Sequence, residues 1–142
     1  MFPSHDQGGL LLKQNRNEAV HPAVIRNMTN LAGLLLQPIR EHFDSPLIVT
    51  SGFRCPDLND AVGGSRNSDH IQGCACDFRI KGVSLTEVMH HVLDSDYMYG
   101  QLILEPNWIH ISLPMPYKSY HQALRAYQAA NKMTYRPYLR EV

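Results

Sequence analysis

Neither sign of charge is in excess in this sequence, which has 13 acidic and 13 basic residues among its 142. Proteins that bind nucleic acid or an anionic membrane surface as their main partner carry a marked positive excess. Long apolar runs are also lacking at the N-terminus, where the triplet Leu10–Leu12 is too short for a signal peptide or a membrane span. We therefore expect no nucleic-acid partner, no membrane span and synthesis in the cytoplasm.

Cysteine is scarce, because the chain has only Cys55, Cys74 and Cys76. An odd number of clustered cysteines does not form a disulfide framework, and reduced thiols agree with the absence of a signal peptide. The 142 residues are nevertheless enough for one domain with its own hydrophobic core. We expect a single domain over residues 1–142, with an irregular lead-in over 1–20.

The hydrophobic pattern predicts an α+β fold, with helices packed on one side of a small, mostly antiparallel sheet. Apolar residues at helical spacing predict a long helix over Val24–Phe43, with a kink at Pro38. A capping box at Ser84 and Glu87 begins a second long helix over Leu85–Leu93. A short helix and turn over 56–64 and four strands complete the pattern: Leu47–Thr50, Ala75–Ile80, Gln101–Leu104 and Trp108–Leu113.

The tail over residues 114–142 permits two interpretations. Its alanine content favours a helix over Tyr120–Ala130, whereas Met133–Tyr135 has the composition of a strand.

Two potential metal ligands, His70 and Asp77, lie seven residues apart with Gly73 between them. Imidazole and carboxylate both bind zinc, and a catalytic zinc site needs three protein ligands with one open position. On the strand that follows Gly73, alternation places Ala75 and Asp77 on one face. A loop histidine beside a solvated aspartate is an equally good interpretation of this pair alone.

A third candidate ligand, His110, comes from the last predicted strand. Alternation puts Trp108, His110 and Ser112 on one face, opposite Ile109 and Ile111. A histidine that faces away from core isoleucines points into a cleft or into solvent. A structural histidine with satisfied hydrogen bonds is the alternative.

Glu105 stands at the turn before this strand and is the candidate general base. Zinc lowers the pKa of a water molecule that it binds to about 7, and a neighbouring carboxylate can then accept the proton. The alternative is a solvated turn carboxylate.

Arg54 comes two residues after Gly52, which lets the backbone bend, and the planar guanidinium of Arg54 suits a substrate carboxylate. A surface pair with Asp57 or Asp60 is the alternative for Arg54.

The cysteines raise a different possibility, a closed zinc site built from Cys74, Cys76 and His70, with Cys55 as the candidate fourth ligand. The spacing of two cysteines around one residue is not a common zinc knuckle. Strand alternation instead turns Cys74 and Cys76 together towards the core, and we favour that interpretation.

These residues carry a resemblance to a known family. The chain resembles the zinc D-alanyl-D-alanine carboxypeptidases, a family that includes phage L-alanyl-D-glutamate endolysins and shares its fold with the hedgehog signalling domain. The pattern S-x-H-x-x-G-x-A-x-D is met at every fixed position, and the closing W-x-H element is also present. The matching positions are Thr50–Asn59, Val62–Ser65, Ser68–Asp77, Trp108 and His110.

The resemblance implies one zinc ion bound by His70, Asp77 and His110. It also implies that Arg54 binds a substrate carboxylate and that Ser68 and Trp108 contribute to the substrate site. Several members place the acidic base three residues before the last histidine, where this chain has Asn107. Glu105 is the nearest acidic residue.

We therefore expect a zinc peptidase that cleaves the stem peptide or cross-link of bacterial peptidoglycan, as a carboxypeptidase or an endopeptidase. The alternative function is a non-catalytic binding module of the same fold. The absence of a signal peptide favours a phage enzyme that is released at lysis or carried in the virion.

Overall fold

The computed structural model describes residues 20–116, 118 and 120–141. Most of the predicted lead-in and the terminal Val142 therefore lie outside the described residues. The chain forms a six-stranded sheet in the order β1-β2-β4-β3-β5-β6, and every pairing is antiparallel except β3 with β5. The predicted α+β class is confirmed. The strands are β1 Leu47–Ser51, β2 Ala75–Ile80, β3 Gln101–Leu104, β4 Ile109–Ser112, β5 Gln122–Ala129 and β6 Lys132–Pro137.

The predicted long helix is present but is divided by a π-helical turn. It consists of α1 (Pro22–Leu31), the π turn Ala32–Leu36 and α2 (Gln37–Phe43). The N–H of Gln37 bonds to the carbonyl of Ala32, five residues back. Pro38 has no N–H to donate, so the irregularity expected at this proline takes the form of a wider turn just before it.

Two further helices are as predicted. Helix α3 covers Pro56–Ala61, and α4 covers Leu85–Leu93. The Ser84 side chain accepts a hydrogen bond from the Glu87 N–H at 3.1 Å, which is the expected cap of α4. No helix among the described residues is long and apolar enough to cross a membrane.

One face of the sheet carries the hydrophobic core. Apolar side chains of the long helix and of α4 pack there against alternate residues of the central strands. Fully buried members are Leu35, Ile39, Val88, Phe78, Leu102, Ile109 and Ile111. Cys74 and Cys76 belong to this core, as strand alternation predicts. The opposite face is left for the site.

The tail forms a β-hairpin. Strand β5 lies parallel to β3, and β6 pairs antiparallel with β5. The helix considered for Tyr120–Ala130 is therefore wrong, and the strand around Met133–Tyr135 is confirmed. Pairing with the edge of β3 overrides the helical preference of the alanines, because the edge offers unpaired backbone groups.

Candidate metal centre and catalytic cleft

Asp77 and His110 are direct neighbours across the sheet. They occupy opposed positions on β2 and β4, so both side chains project from the same face. His110 Nδ1 lies 2.8 Å from Asp77 Oδ1, and His70 Nε2 lies 3.2 Å from the same oxygen. One ligand atom from each of the three side chains lies within 4.8 Å of the other two. The structure thus brings the three predicted ligands together.

The turn between α3 and β2 positions His70. The Ser68 hydroxyl accepts the backbone N–H of His70, and the His70 carbonyl accepts the N–H of Arg54 at 3.0 Å. His70 Nδ1 lies 2.8 Å from the Gly52 carbonyl, which can only accept, so Nδ1 carries the proton. Nε2 is then the nitrogen with a free lone pair, and it faces Asp77.

Gly73 closes this turn in a conformation that favours glycine, with φ of 73°. A Cβ atom there would also lie 2.8 Å from the Val24 carbonyl on α1. The glycine therefore lets the turn pack against the long helix in the conformation that brings His70 and Asp77 into contact.

Asp77 is a buried carboxylate that remains ionised. Burial by itself raises its pKa, but the adjacent imidazoles of His110 and His70 outweigh burial and hold the pKa well below its usual range. Arg54 NH2 lies 3.6 Å from the second carboxylate oxygen, Oδ2. The site therefore has a stable negative charge where a cation would bind.

The donor set fits zinc. Two imidazole nitrogens and one carboxylate oxygen form the three-ligand arrangement that leaves a position for water or substrate. The Gly52 carbonyl fixes the tautomer of His70, as outer hydrogen bonds do in metal sites. No other group of three such side chains occurs among residues 20–116, 118 and 120–141.

Arg54 is held at the rim of this site by neutral partners as well as by Asp77. Its Nε donates to Ser51 Oγ and its NH1 donates to Asn59 Oδ1, both at 3.0 Å. Asn59 is fully buried and donates in turn to the Ser65 carbonyl at 2.8 Å. Burial lowers the pKa of Arg54 and Asp77 raises it, but a guanidinium stays charged in either case.

Glu105 follows β3 and is buried, with 8% of its surface exposed. Burial raises its pKa; the charge of His110 opposes that rise and the charge of Asp77 adds to it. Its backbone N–H bonds to the Trp108 carbonyl at 3.0 Å, which closes the turn. Asn107, at the position where several resembling proteins carry an acid, is exposed on that turn.

We call the three candidate ligands His70, Asp77 and His110 the metal group. This group lies in a cleft of about 800 Å³ on the open face of the sheet. All seven predicted site residues line it: Arg54, Ser68, His70, Asp77, Glu105, Trp108 and His110.

The three cysteines do not line the cleft. Cys76 belongs to the core on the opposite face of the sheet, where burial, with a smaller effect of Asp77, raises its pKa to about 12.

Sequence analysis did not identify several residues that line the cleft or support its side chains. Asn59 supports Arg54, and Gln122, Leu124, Met133 and Tyr135 of the β5–β6 hairpin form one wall. The composition of Met133–Tyr135 predicts a strand, but its partner β5 was not predicted, because the alanines of that segment favour a helix.

An open three-ligand metal site beside a buried carboxylate is the arrangement of metal-dependent hydrolases. The family model for Peptidase M15 matches residues 7–112, which is more than half of the chain. The chain belongs to the Peptidase M15 family and is a metallopeptidase; M15 peptidases are zinc-dependent. A comparison with curated proteins found no match. The family match contains all seven site residues and ends at the last residue of β4.

Proposed function

We propose that this chain hydrolyses an amide bond in the stem peptide or cross-link of bacterial peptidoglycan. One observation carries the proposal: the ligand atoms of His70, Asp77 and His110 lie within 4.8 Å of one another in a cleft that also contains Glu105 and Arg54. The family membership supports peptidase chemistry. The guanidinium supports a substrate with a carboxylate near the cleaved bond.

His70, Asp77 and His110 would hold the zinc ion. When bound, zinc polarises a carbonyl and lowers the pKa of water, which makes water a nucleophile near neutral pH. Asp77 supplies the negative charge, and the Gly52 carbonyl keeps the proton of His70 on Nδ1, away from the ligand position.

Glu105 would move the proton. Its carboxylate accepts a proton from the attacking water as the new carbon–oxygen bond forms. The same group then donates that proton to the leaving amine as the carbon–nitrogen bond breaks. Because burial raises its pKa towards the working pH, Glu105 is suited to both steps.

Arg54 would orient the substrate. Its guanidinium can pair with a substrate carboxylate through two parallel hydrogen bonds and so select the bond that lies over the metal group. Ser68 maintains the turn that carries His70, and the indole of Trp108 provides an apolar surface in the cleft.

The experiment is digestion of a defined muropeptide by the zinc-loaded protein, with mass analysis of the fragments. We expect one amide bond to be cut, and Glu105→Gln to lower kcat by about 100-fold or more, the usual range for a lost general base, with zinc content unchanged. Glu41→Gln is the matched control, because Glu41 is exposed on α2 away from the cleft.

Two results would contradict the proposal in different ways. Full activity of Glu105→Gln would show that Glu105 is not the base. Binding of the muropeptide by the wild-type protein without any cleavage would favour the alternative function, a non-catalytic binding module.

A further inference from the structure

The register of the sheet extends the open face beyond the metal group to the C-terminal hairpin. His110 is paired with Asp77 on one side and with Ile103 on the other. Ile103 is paired in turn with Leu124 of β5. These side chains form one row across the cleft face, which begins near Arg54 and ends at the hairpin.

The outer strand adds two more side chains to the same face. Alternation along β5 puts Ala126 on the face of Leu124, and Ala126 is opposite Tyr135 of β6. Met133, two residues before Tyr135, follows the same alternation. We call Ile103, Leu124, Met133 and Tyr135 the hairpin shelf, and all four line the cleft.

Tyr135 is the most accessible part of the shelf. About half of its surface (51%) is exposed, although it faces the site carboxylates across small Ala126. Burial raises its pKa, and the charges of Glu105 and Asp77 raise it further, so the phenol stays protonated near neutral pH. An accessible, neutral aromatic ring beside aliphatic side chains is a binding surface for an apolar group.

The direction of the row assigns this surface to one side of the substrate. With the substrate carboxylate at Arg54 and the cleaved bond over the metal group, the peptide on the acyl side must leave in the opposite direction. That direction leads over Ile103 and Leu124 to the hairpin, where Tyr135 lies on the same face, diagonally across from Leu124 and opposite Ala126. We propose that the hairpin shelf binds the acyl-side residues of the substrate, taking an aliphatic side chain against the ring of Tyr135.

This inference rests on the proposed function and goes beyond it, because it makes the enzyme selective for substrates that are extended on the acyl side. The shelf lies largely outside the family match, which ends at residue 112. The hairpin of this chain would therefore determine which peptides are cut efficiently, while the metal group performs the reaction.

The test compares two synthetic peptides that share the bond cut by the wild-type protein and the residues on its carboxyl side. One peptide has a single acylated residue before that bond, and the other has three residues with an aliphatic side chain. We expect Tyr135→Ala to lower the ratio of kcat/KM for the long over the short peptide by roughly tenfold, mainly through KM, as loss of an apolar contact of moderate area predicts. Tyr135→Phe should restore the ratio, because it keeps the ring.

Tyr127→Ala is the matched control. Tyr127 lies on the same hairpin with similar exposure (41%), but its ring contacts Arg125 and Arg136 on the other face. We expect the wild-type ratio from this variant. Equal losses on both peptides in Tyr135→Ala, or the same change in Tyr127→Ala, would overturn the inference while leaving the proposed function intact. A wild-type protein that cuts neither peptide nor the muropeptide would instead remove the proposed function.

Discussion

Asp77 is the side chain on which the other site residues converge. Oδ1 contacts both histidines, and Oδ2 faces Arg54 at 3.6 Å. A buried carboxylate with three cationic or polar partners would be costly to maintain for stability alone. Its surroundings are those of a ligand whose neighbours hold it in place for a metal ion.

Gly64 is a less obvious residue that the position of Arg54 depends on. A Cβ atom at Gly64 would lie 2.2 Å from Asn59 Oδ1 and 2.7 Å from Arg54 NH1. Asn59 is fully buried and bonded to the Ser65 carbonyl, so it has little freedom to move away. The glycine leaves the space in which Asn59 holds the guanidinium.

Gly64→Ala should therefore displace Arg54 without removing a metal ligand. We expect KM for a carboxylate-bearing substrate to rise by roughly tenfold, which is the effect of weakening one charged hydrogen bond. Zinc content should stay at the wild-type level.

Steady-state kinetics and metal analysis check this prediction. Gly33→Ala is the control, since a Cβ at Gly33 meets nothing within 4 Å. An unchanged KM in Gly64→Ala would show that Asn59 does not position Arg54 for substrate.

At the scale of elements, the sequence predicts the bounds of strands and helices most accurately where side-chain pattern and burial agree. Strand β2 has the predicted bounds, because alternation sends Cys76 and Phe78 to the core and Asp77 to the cleft. The same agreement holds for the apolar stripe of α4 and for its cap at Ser84.

Strand β5 shows where local pattern is insufficient. Its alanines favour a helix, and the turn to β6 is made by Ala130, with φ of 54°, and Asn131. This turn lacks the glycine that signals a hairpin in a sequence. Strand formation here depends on the free edge of β3, which is about twenty residues earlier in the chain.

The cap of α4 gives a prediction at this scale. Ser84→Ala removes the side-chain oxygen that accepts the Glu87 N–H, and we expect a loss of about 1 kcal/mol in the free energy of unfolding. Because α4 packs on the core face, opposite the cleft, kcat/KM should not change.

Denaturant unfolding and activity assays on the same preparation test this pair of expectations. Thr86→Ala serves as the control, because it alters an exposed residue in the first turn of the same helix. A fall in activity without a fall in stability would contradict our placement of α4 away from the site.

At the scale of the whole molecule, the three candidate ligands come from separate segments. His70 lies in a turn after α3, Asp77 on β2 and His110 on β4. Unfolding separates these segments, so a metal ion bound by all three must stabilise the folded chain.

We expect zinc to raise the melting temperature of chelator-treated protein, with roughly 3 kcal/mol added at free zinc about 100-fold above its Kd. Asp77→Ala should lose this response, whereas Cys76→Ala should keep it despite a lower starting stability. Thermal scans with and without zinc measure both. A zinc response that survives in Asp77→Ala and disappears in Cys76→Ala would instead support the closed cysteine site.

Residue patterns and the family resemblance were enough to predict the class of the fold, the bounds of β2 and β3, and seven side chains that all line one cleft. The bounds of β4 were predicted one residue too long at each end. Alternation and helical period are local properties, so they can be read from neighbouring residues. Tertiary structure decided that β5 is a strand, that Asn59 and Gly64 support Arg54, and that Tyr135 faces the site. Each of these depends on contacts between segments that are far apart in the sequence. Such contacts cannot be inferred from the pattern of neighbouring residues.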